Sequence, residues 1–183
     1  MVVDRGPAHC AFMTVDLSLR KRDFRSLSWL ALPEFLATLG PAGAVLGLDP
    51  GAKRIGVSVS DATRTIASPL ATIHRTRFAK DARRIFELYR SRSCVGLVVG
   101  LPLNMDGTQG SAAQSAQAFA RNLLSVRETP LLLWDERLST SAVTRTLIEA
   151  DASRARRGQV VDKLAAAYML QGALDAMKEQ GNR

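Results

Sequence analysis

Leu46-Gly-Leu-Asp-Pro-Gly-Ala-Lys-Arg-Ile-Gly-Val-Ser-Val-Ser-Asp61 is the stretch on which the fold turns. Val45, Leu46 and Leu48 make a short apolar run, and Ile55, Val57 and Val59 alternate with Gly56, Ser58 and Ser60. Two half-buried strands are therefore predicted on either side of Asp49-Pro50-Gly51. Pro presets φ at the second position of a turn, Gly accepts φ > 0 at the third, and Asp caps the start, so turn chemistry accounts for these three residues. It does not account for Lys53 and Arg54 directly after the glycine, beside a carboxylate at the end of a core strand. That grouping suits a metal or a phosphate, although an Asp-x-Gly turn is by itself a weak signal.

Downstream, Thr65 to His74 carries Ile66, Leu70 and Ile73 with Pro69 inside, which predicts a third strand at a sheet edge, because Pro cannot donate to a ladder. His74 reads as a surface residue. Phe78, Ala82, Ile85 and Tyr89 recur at helical spacing and leave Lys80, Arg83, Arg84 and Arg90 on the outer faces. Val95 to Gly100 is a continuous apolar run of the kind buried on both faces in a parallel strand. The loop that leaves it, Leu101-Pro-Leu-Asn-Met-Asp-Gly-Thr-Gln-Gly110, is polar and punctuated by Gly and Pro, and it lies where α/β sheets bind ligands.

Ser111-Ala-Ala-Gln114 has the form of a capping box and opens a helix with Ala116, Phe119, Ala120 and Leu123 inward. Pro130 introduces a fifth strand, Leu131 to Trp134, which runs into Asp135-Glu-Arg-Leu-Ser-Thr140. A helix with Val143 and Leu147 inward, the basic link Ser153-Arg-Ala-Arg-Arg-Gly158 and a last helix complete the order. That last helix is expected to bury Val161, Leu164, Tyr168 and Gly172, and to carry Asp162 in its first turn, where a carboxylate complements the helix dipole.

Upstream, residues 1 to 26 show no sustained period and read as a poorly ordered tail. Residues 29 to 38 make a short helix with Pro33 near its start, ended by Gly40-Pro41. The division expected is an N-terminal extension with a short helix, 1–40, and one domain, 41–183. No apolar core follows Asp4 and Arg5, so no signal peptide is expected. Met13 is a candidate translation start, which N-terminal sequencing of the native protein would settle. The stretch from Leu27 to Leu48 is broken by Pro33, Glu34, Gly40 and Pro41, so no membrane span is expected.

A chain of 183 residues with 46% hydrophobic and 23% charged residues, and a mean hydropathy near zero, is that of a soluble cytoplasmic globular protein. Cys10 and Cys94 have no metal or redox spacing. The net charge of +8, with a pI near 10.3, makes a polyanion the default partner. From Gly40 onward 20 Lys and Arg face 13 Asp and Glu, so +7 of that charge belongs to the domain. Nucleic acid is favoured over an anionic membrane, since no basic amphipathic helix with aromatic anchors accompanies the charge. A merely solubilising basic surface is the plain alternative.

The element order predicts a mixed α/β sheet with an antiparallel start and right-handed crossovers. In such a sheet Asp49, Asp135 or Glu136, and Asp162 can converge on one cleft at the carboxyl edge of the parallel strands.

Four segments in this order resemble the YqgF family of Holliday-junction-resolvase-like proteins. They are Leu48-Asp-Pro-Gly51 with Ile55-Gly-Val57, Val98-Val-Gly-Leu-Pro-Leu-Asn-Met-Asp-Gly107, Asp135-Glu-Arg-Leu-Ser-Thr140 and Val161-Asp-Lys-Leu-Ala-Ala166. The resemblance spans about Leu46 to Ala176 and leaves residues 1 to 40 outside. It implies an RNase H-like mixed five-stranded sheet of order 3-2-1-4-5 flanked by helices. It further implies nucleolytic processing of the 16S ribosomal RNA precursor, with Asp49, Glu136 and Asp162 as catalytic and metal-binding acids and Asp135 as a rival for the middle place. Pro50 departs from the aromatic or small residue often found there; it keeps the turn and slightly alters its backbone donors.

Carboxylates without His or Cys suit Mg2+ or Mn2+, and two such ions about 4 Å apart can activate water and stabilise a leaving oxygen. Lys53, Arg54, Arg137, Arg154, Arg156 and Arg157 are candidates for holding phosphates, with Asn104 and Thr140 as neutral partners of the backbone or a 2′-hydroxyl. Precursor ribosomal RNA is the favoured partner and branched DNA the alternative; the protein is expected to be a monomer or a weak homodimer. Two other classes remain. Actin-like ATPases and sugar kinases open their phosphate site on a similar hairpin but need two such sheets. A non-catalytic nucleic-acid-binding module would carry acids that oppose polyanion binding unless cations neutralise them.

Overall fold

The computed structural model describes residues 29–138 and 157–181. The elements are α1 (Leu32–Thr38), β1 (Ala44–Pro50), β2 (Arg54–Ser60), β3 (Ala67–His74), α2 (Phe78–Ser91), β4 (Cys94–Leu101), α3 (Ser111–Val126), β5 (Leu131–Asp135), a 3-10 turn (Glu136–Leu138) and α4 (Arg157–Gly181). The sheet has the predicted order, β3-β2-β1-β4-β5. β1 and β2 are antiparallel, as are β2 and β3, while β4 runs parallel to both β1 and β5. Among the described residues no helix is long and apolar enough to cross a membrane.

Both faces of the sheet are covered, which corrects the expectation of half-buried strands. Leu46, Leu48, Ile55 and Val57 face a core shared with α2 and α3. The opposite face, which carries Val45 and Val98, packs α1 and α4. Ser58 and Ser60 are buried there, and each is satisfied locally. Ser58 Oγ donates to Ala166 O of α4 at 2.8 Å; Ser60 Oγ accepts from Val45 N at 2.9 Å, where the register of β1 on β4 shifts. The alternation in β2 is therefore one of large against small residues, and the small ones admit a helix at close range. At Gly47 an added Cβ would lie 2.9 Å from Leu170 Cβ, too near for any other residue type.

That close approach also decides which stripe of α4 is buried. Ala166, Met169, Leu170, Ala173, Leu174 and Met177 face the sheet, whereas Tyr168, expected inside, is 42% exposed and Leu164 and Gly172 are only half-buried. Both stripes have helical period; the buried one sets Leu170 against Gly47 and Ala166 against Gly56, where helix and strand come closest. α4 also starts at Arg157, earlier than expected, so Asp162 is its sixth residue and no acid sits in its first turn. The dipole account of Asp162 is thereby removed.

Two smaller expectations shift, and that of Pro69 on an edge strand holds. Thr65 and Ile66 stay outside β3, because Asp61 Oδ1 accepts their backbone N–H groups at 2.7 and 2.8 Å, and Ile66 is left exposed. These bonds, that of Ile66 first, hold the Asp61 carboxyl well below the usual carboxylate range. Pro69 sits on the edge strand opposite Ser58, where the β2–β3 register shifts. Ser111 does not cap α3: Gly110 is the N-cap and Ser111 the first helical residue.

The short helix expected in the extension lies on the core. Phe35 of α1 and Leu39 at its C-cap are buried against Gly96 of β4, where a Cβ would come within 2.6 Å of Leu39 Cδ2. Leu30 adds a parallel bridge to Leu132 through its N–H on Leu131 O at 2.8 Å. The expected helix over Val143 and Leu147, the tail up to residue 26 and Cys10 lie outside the described residues.

Candidate active site

Asp49 is the penultimate residue of β1, and the chain turns sharply after it, with Gly51 N donating to Asp49 O at 3.1 Å. In the antiparallel register Asp49 lies opposite Gly56, and directly opposed residues point to the same face. The Gly56 face is that of α4: an added Cβ there would overlap the backbone carbonyl of Asp162 and lie 3.1 Å from Ala166 Cβ. On the other flank, Gly100 follows Val99, the partner of Leu48. A Cβ at Gly100 would overlap Glu136 Oε1, with Met169 Cγ of α4 at 3.5 Å. Two bare positions thus stand beside Asp49, one under Asp162 and one under the Glu136 carboxylate. Neither glycine has positive φ; both are required by close approach.

Asp49 and Glu136, 87 positions apart in the chain, line one cleft of about 410 Å3 at the carboxyl ends of β1, β4 and β5. Pro102 of the loop after β4 walls it, with Ser111 and Ser115 of the first turns of α3 and Gly51 of the hairpin. Arg75, one residue past β3, completes it. No sequence signal singled out Arg75 or Ser115, and Ser111 was read only as a helix cap; the folding of the β3–α2 link against α3 puts them there.

The other candidates among the described residues are not part of the lining of this cleft. Asp162 is bound by Arg54, whose Nε donates to Oδ2, so Arg54 addresses a carboxylate in this structure. Asp135 is gripped by Arg137, Nη2 at 2.7 Å and Nε at 3.1 Å, with the Arg137 backbone N–H adding a bond at 3.0 Å. Asn104 closes its own loop, Nδ2 donating to Thr108 Oγ1 at 2.8 Å, and its carbonyl accepts from Arg137 Nη1 at 3.4 Å. Lys53 is exposed at the hairpin end, and its carbonyl accepts Arg75 N at 3.0 Å. Thr140, Arg154 and Arg156 lie outside the described residues, as does the side chain of Arg157. Among the described residues, no three of His, Cys, Asp and Glu are gathered tightly enough to hold one metal ion.

The guanidinium of Arg137 holds the Asp135 carboxyl below the usual aspartate range. A folded-state pKa that is depressed contributes stability above the unfolded value and loses it as pH falls through the folded one. Asp135→Asn is therefore expected to melt below wild type at neutral pH, and the two melting curves should converge in acid. Parallel curves across the whole pH range would mean the pair adds nothing.

A mixed sheet of this order, with carboxylates at the ends of its central strands and a helix crossing the first of them, defines an RNase H-like protein. Within that class, residues 43–176 match the family described as "RuvX: Holliday junction resolvase", and the chain belongs to it, the YqgF/RuvX family. A protein of Caulobacter vibrioides (strain NA1000 / CB15N) named "Putative pre-16S rRNA nuclease" is 56% identical over 151 residues, 81% of this chain and 97% of that one. A protein of the same name from Rhodospirillum rubrum is 54% identical, covering 82% of this chain and 94% of the relative. Among solved structures, that of T. thermophilus RuvC in complex with a Holliday junction substrate aligns with a TM-score of 0.49 at 14% identity, over 76% of this chain and 96% of that one.

Proposed function

We propose that this protein is a divalent-metal-dependent nuclease that hydrolyses phosphodiester bonds and trims the 5′ leader of the 16S ribosomal RNA precursor. The observation that carries the reading is the meeting of Asp49 and Glu136 in one cleft, each beside a glycine whose missing side chain leaves the space that α4 or the Glu136 carboxylate fills. Their donors are hard oxygens, and neither His nor Cys lines the cleft, so the residues fit Mg2+ or Mn2+. Such ions, when bound, lower the pKa of a water nucleophile and stabilise charge on the leaving oxygen. Asp49 and Glu136 would hold them, with Asp162 as the third acid.

The chain's own part is positioning. Arg54 fixes Asp162 over Gly56, and Arg137 keeps Asp135 ionised and occupied, which favours Glu136 for the middle place. The same Arg137 pins the loop after β4 through Asn104. The domain charge of +7 brings in a polyanion, so affinity for RNA is expected to fall steeply as salt rises, by release of counterions. Affinity unchanged between low and physiological salt would oppose this.

The names of the relatives point to the RNA precursor and the family description to a four-way DNA junction. Purified protein with Mg2+ or Mn2+ should therefore be given precursor leader RNA, plain single-stranded RNA and a four-way junction side by side. Preferential cutting of the leader is expected, and its loss in EDTA. Exclusive cutting of the junction would move the substrate to DNA; binding without any cutting would return the protein to a non-catalytic module.

A further inference from the structure

Among the described residues, Arg75 is the one cation on the wall of the cleft that holds Asp49 and Glu136. Its Nη1 donates to Gly51 O at 3.0 Å, the carbonyl of the turn that follows Asp49. Its guanidinium carbon stands 5.8 Å from the centre of the Phe119 ring, within the range of a cation–π contact. Phe119 is itself held edge-on by Phe78, with ring centres 6.2 Å apart at 88°. One edge and one face of the planar group are thus fixed. Among the described residues no carboxylate is paired with it.

A charged fork held rigid by a backbone carbonyl and a ring at the wall of a cleft, with no carboxylate paired to it among the described residues, is prepared for an anion from outside. Guanidinium geometry matches two oxygens of a phosphate, and less side-chain freedom is lost because the group is already placed. We propose that Arg75 binds a backbone phosphate adjacent to the bond being cut, and so sets where the strand lies across Asp49 and Glu136. This rests on the nuclease reading above. A purely structural role, in which Arg75 only steadies the turn at Gly51, is the rival account.

The two accounts separate in the salt dependence of binding. Anisotropy of a fluorescein-labelled oligouridine would be followed in Ca2+ over a series of NaCl concentrations, with circular dichroism and Tm recorded for each protein. Arg75→Gln loses the charge and, being two bonds shorter, the bond to Gly51 as well, so its Tm is read beside its binding. It is expected to bind about tenfold more weakly and to show a slope of log K against log salt shallower by about 0.7, the value of one phosphate contact on a single strand. Arg75→Lys, which keeps a charge at this position, should retain the wild-type slope with weaker affinity. A wild-type slope in Arg75→Gln, whatever its affinity, overturns the assignment, and so does an equal loss of slope in Arg75→Lys, which would make the effect one of structure. Failure of the wild-type protein to bind would overturn both this inference and the nucleic-acid reading beneath it, which distinguishes the two kinds of failure.

Discussion

Asp49→Asn is expected to lower metal-dependent cleavage by about a thousandfold or more, the scale lost when a preorganised charge at a reacting centre is removed. The fold should survive. The turn after Asp49 closes through its backbone carbonyl, which Asn supplies equally well, and strand β1 is held by ladders on both sides. Without metal, carboxylates sharing a cleft repel one another, so neutralising Asp49 is expected to leave Tm in EDTA unchanged or raised. A capping role for the side chain predicts the opposite sign. Thermal unfolding in EDTA, set beside cleavage rate in Mg2+, decides between them: a lower Tm with activity retained would return Asp49 to turn chemistry alone.

The second large effect is expected at the two glycines beside Asp49, and it should differ in kind between them. An added Cβ at Gly56 meets the main-chain carbonyl of Asp162, so Gly56→Ala must push α4 off the sheet or distort β2. Overpacking of this kind costs about 1–3 kcal/mol, occasionally more, and should appear as a clear fall in Tm. At Gly100 the added Cβ meets only the tip of the Glu136 side chain, which can rotate away. Gly100→Ala is therefore expected to stay near wild-type stability while cleavage falls about a hundredfold, because Glu136 can no longer lie beside Asp49. Urea unfolding and cleavage rates measured on the same preparations test the pair. Equal destabilisation of both variants would mean that the Glu136 side chain is as immovable as backbone, and full activity in Gly100→Ala would remove Glu136 from the chemistry.

These expectations depend on features of unequal visibility in the sequence. The hairpin at Asp49 was legible because its signals are local: a β-period on each side and a Pro-Gly turn between. The central strand β4 was legible for the same reason, as an unbroken apolar run, and the connection rules gave a mixed sheet with an antiparallel start, while the strand order itself came from the family resemblance. The acids at strand ends could be named in advance because a carboxylate ending a core strand has few packing reasons to be there. Family resemblance added the RNase H-like frame, and the sheet order and the matched family bear it out.

What the sequence by itself determined, then, is which residues could take part; the tertiary structure decided how they are paired. Arg54 and Arg137 read as phosphate binders because a run of basic residues near an acid looks the same whether the charge faces outward or across. Only the fold sets Arg54 against Asp162, 108 positions away, and only the 3-10 turn after β5 brings Arg137 back onto Asp135. The buried stripe of α4 was misread because 161/164/168/172 and 166/169/170/173/174/177 are both helical faces, and periodicity cannot choose between them. The close approach of Leu170 to Gly47 and of Ala166 to Gly56 chose the second. Arg75 carried no signal at all: its place at the cleft comes from a carbonyl at Gly51 and a ring at Phe119, two contacts from distant segments that one-dimensional pattern cannot bring together.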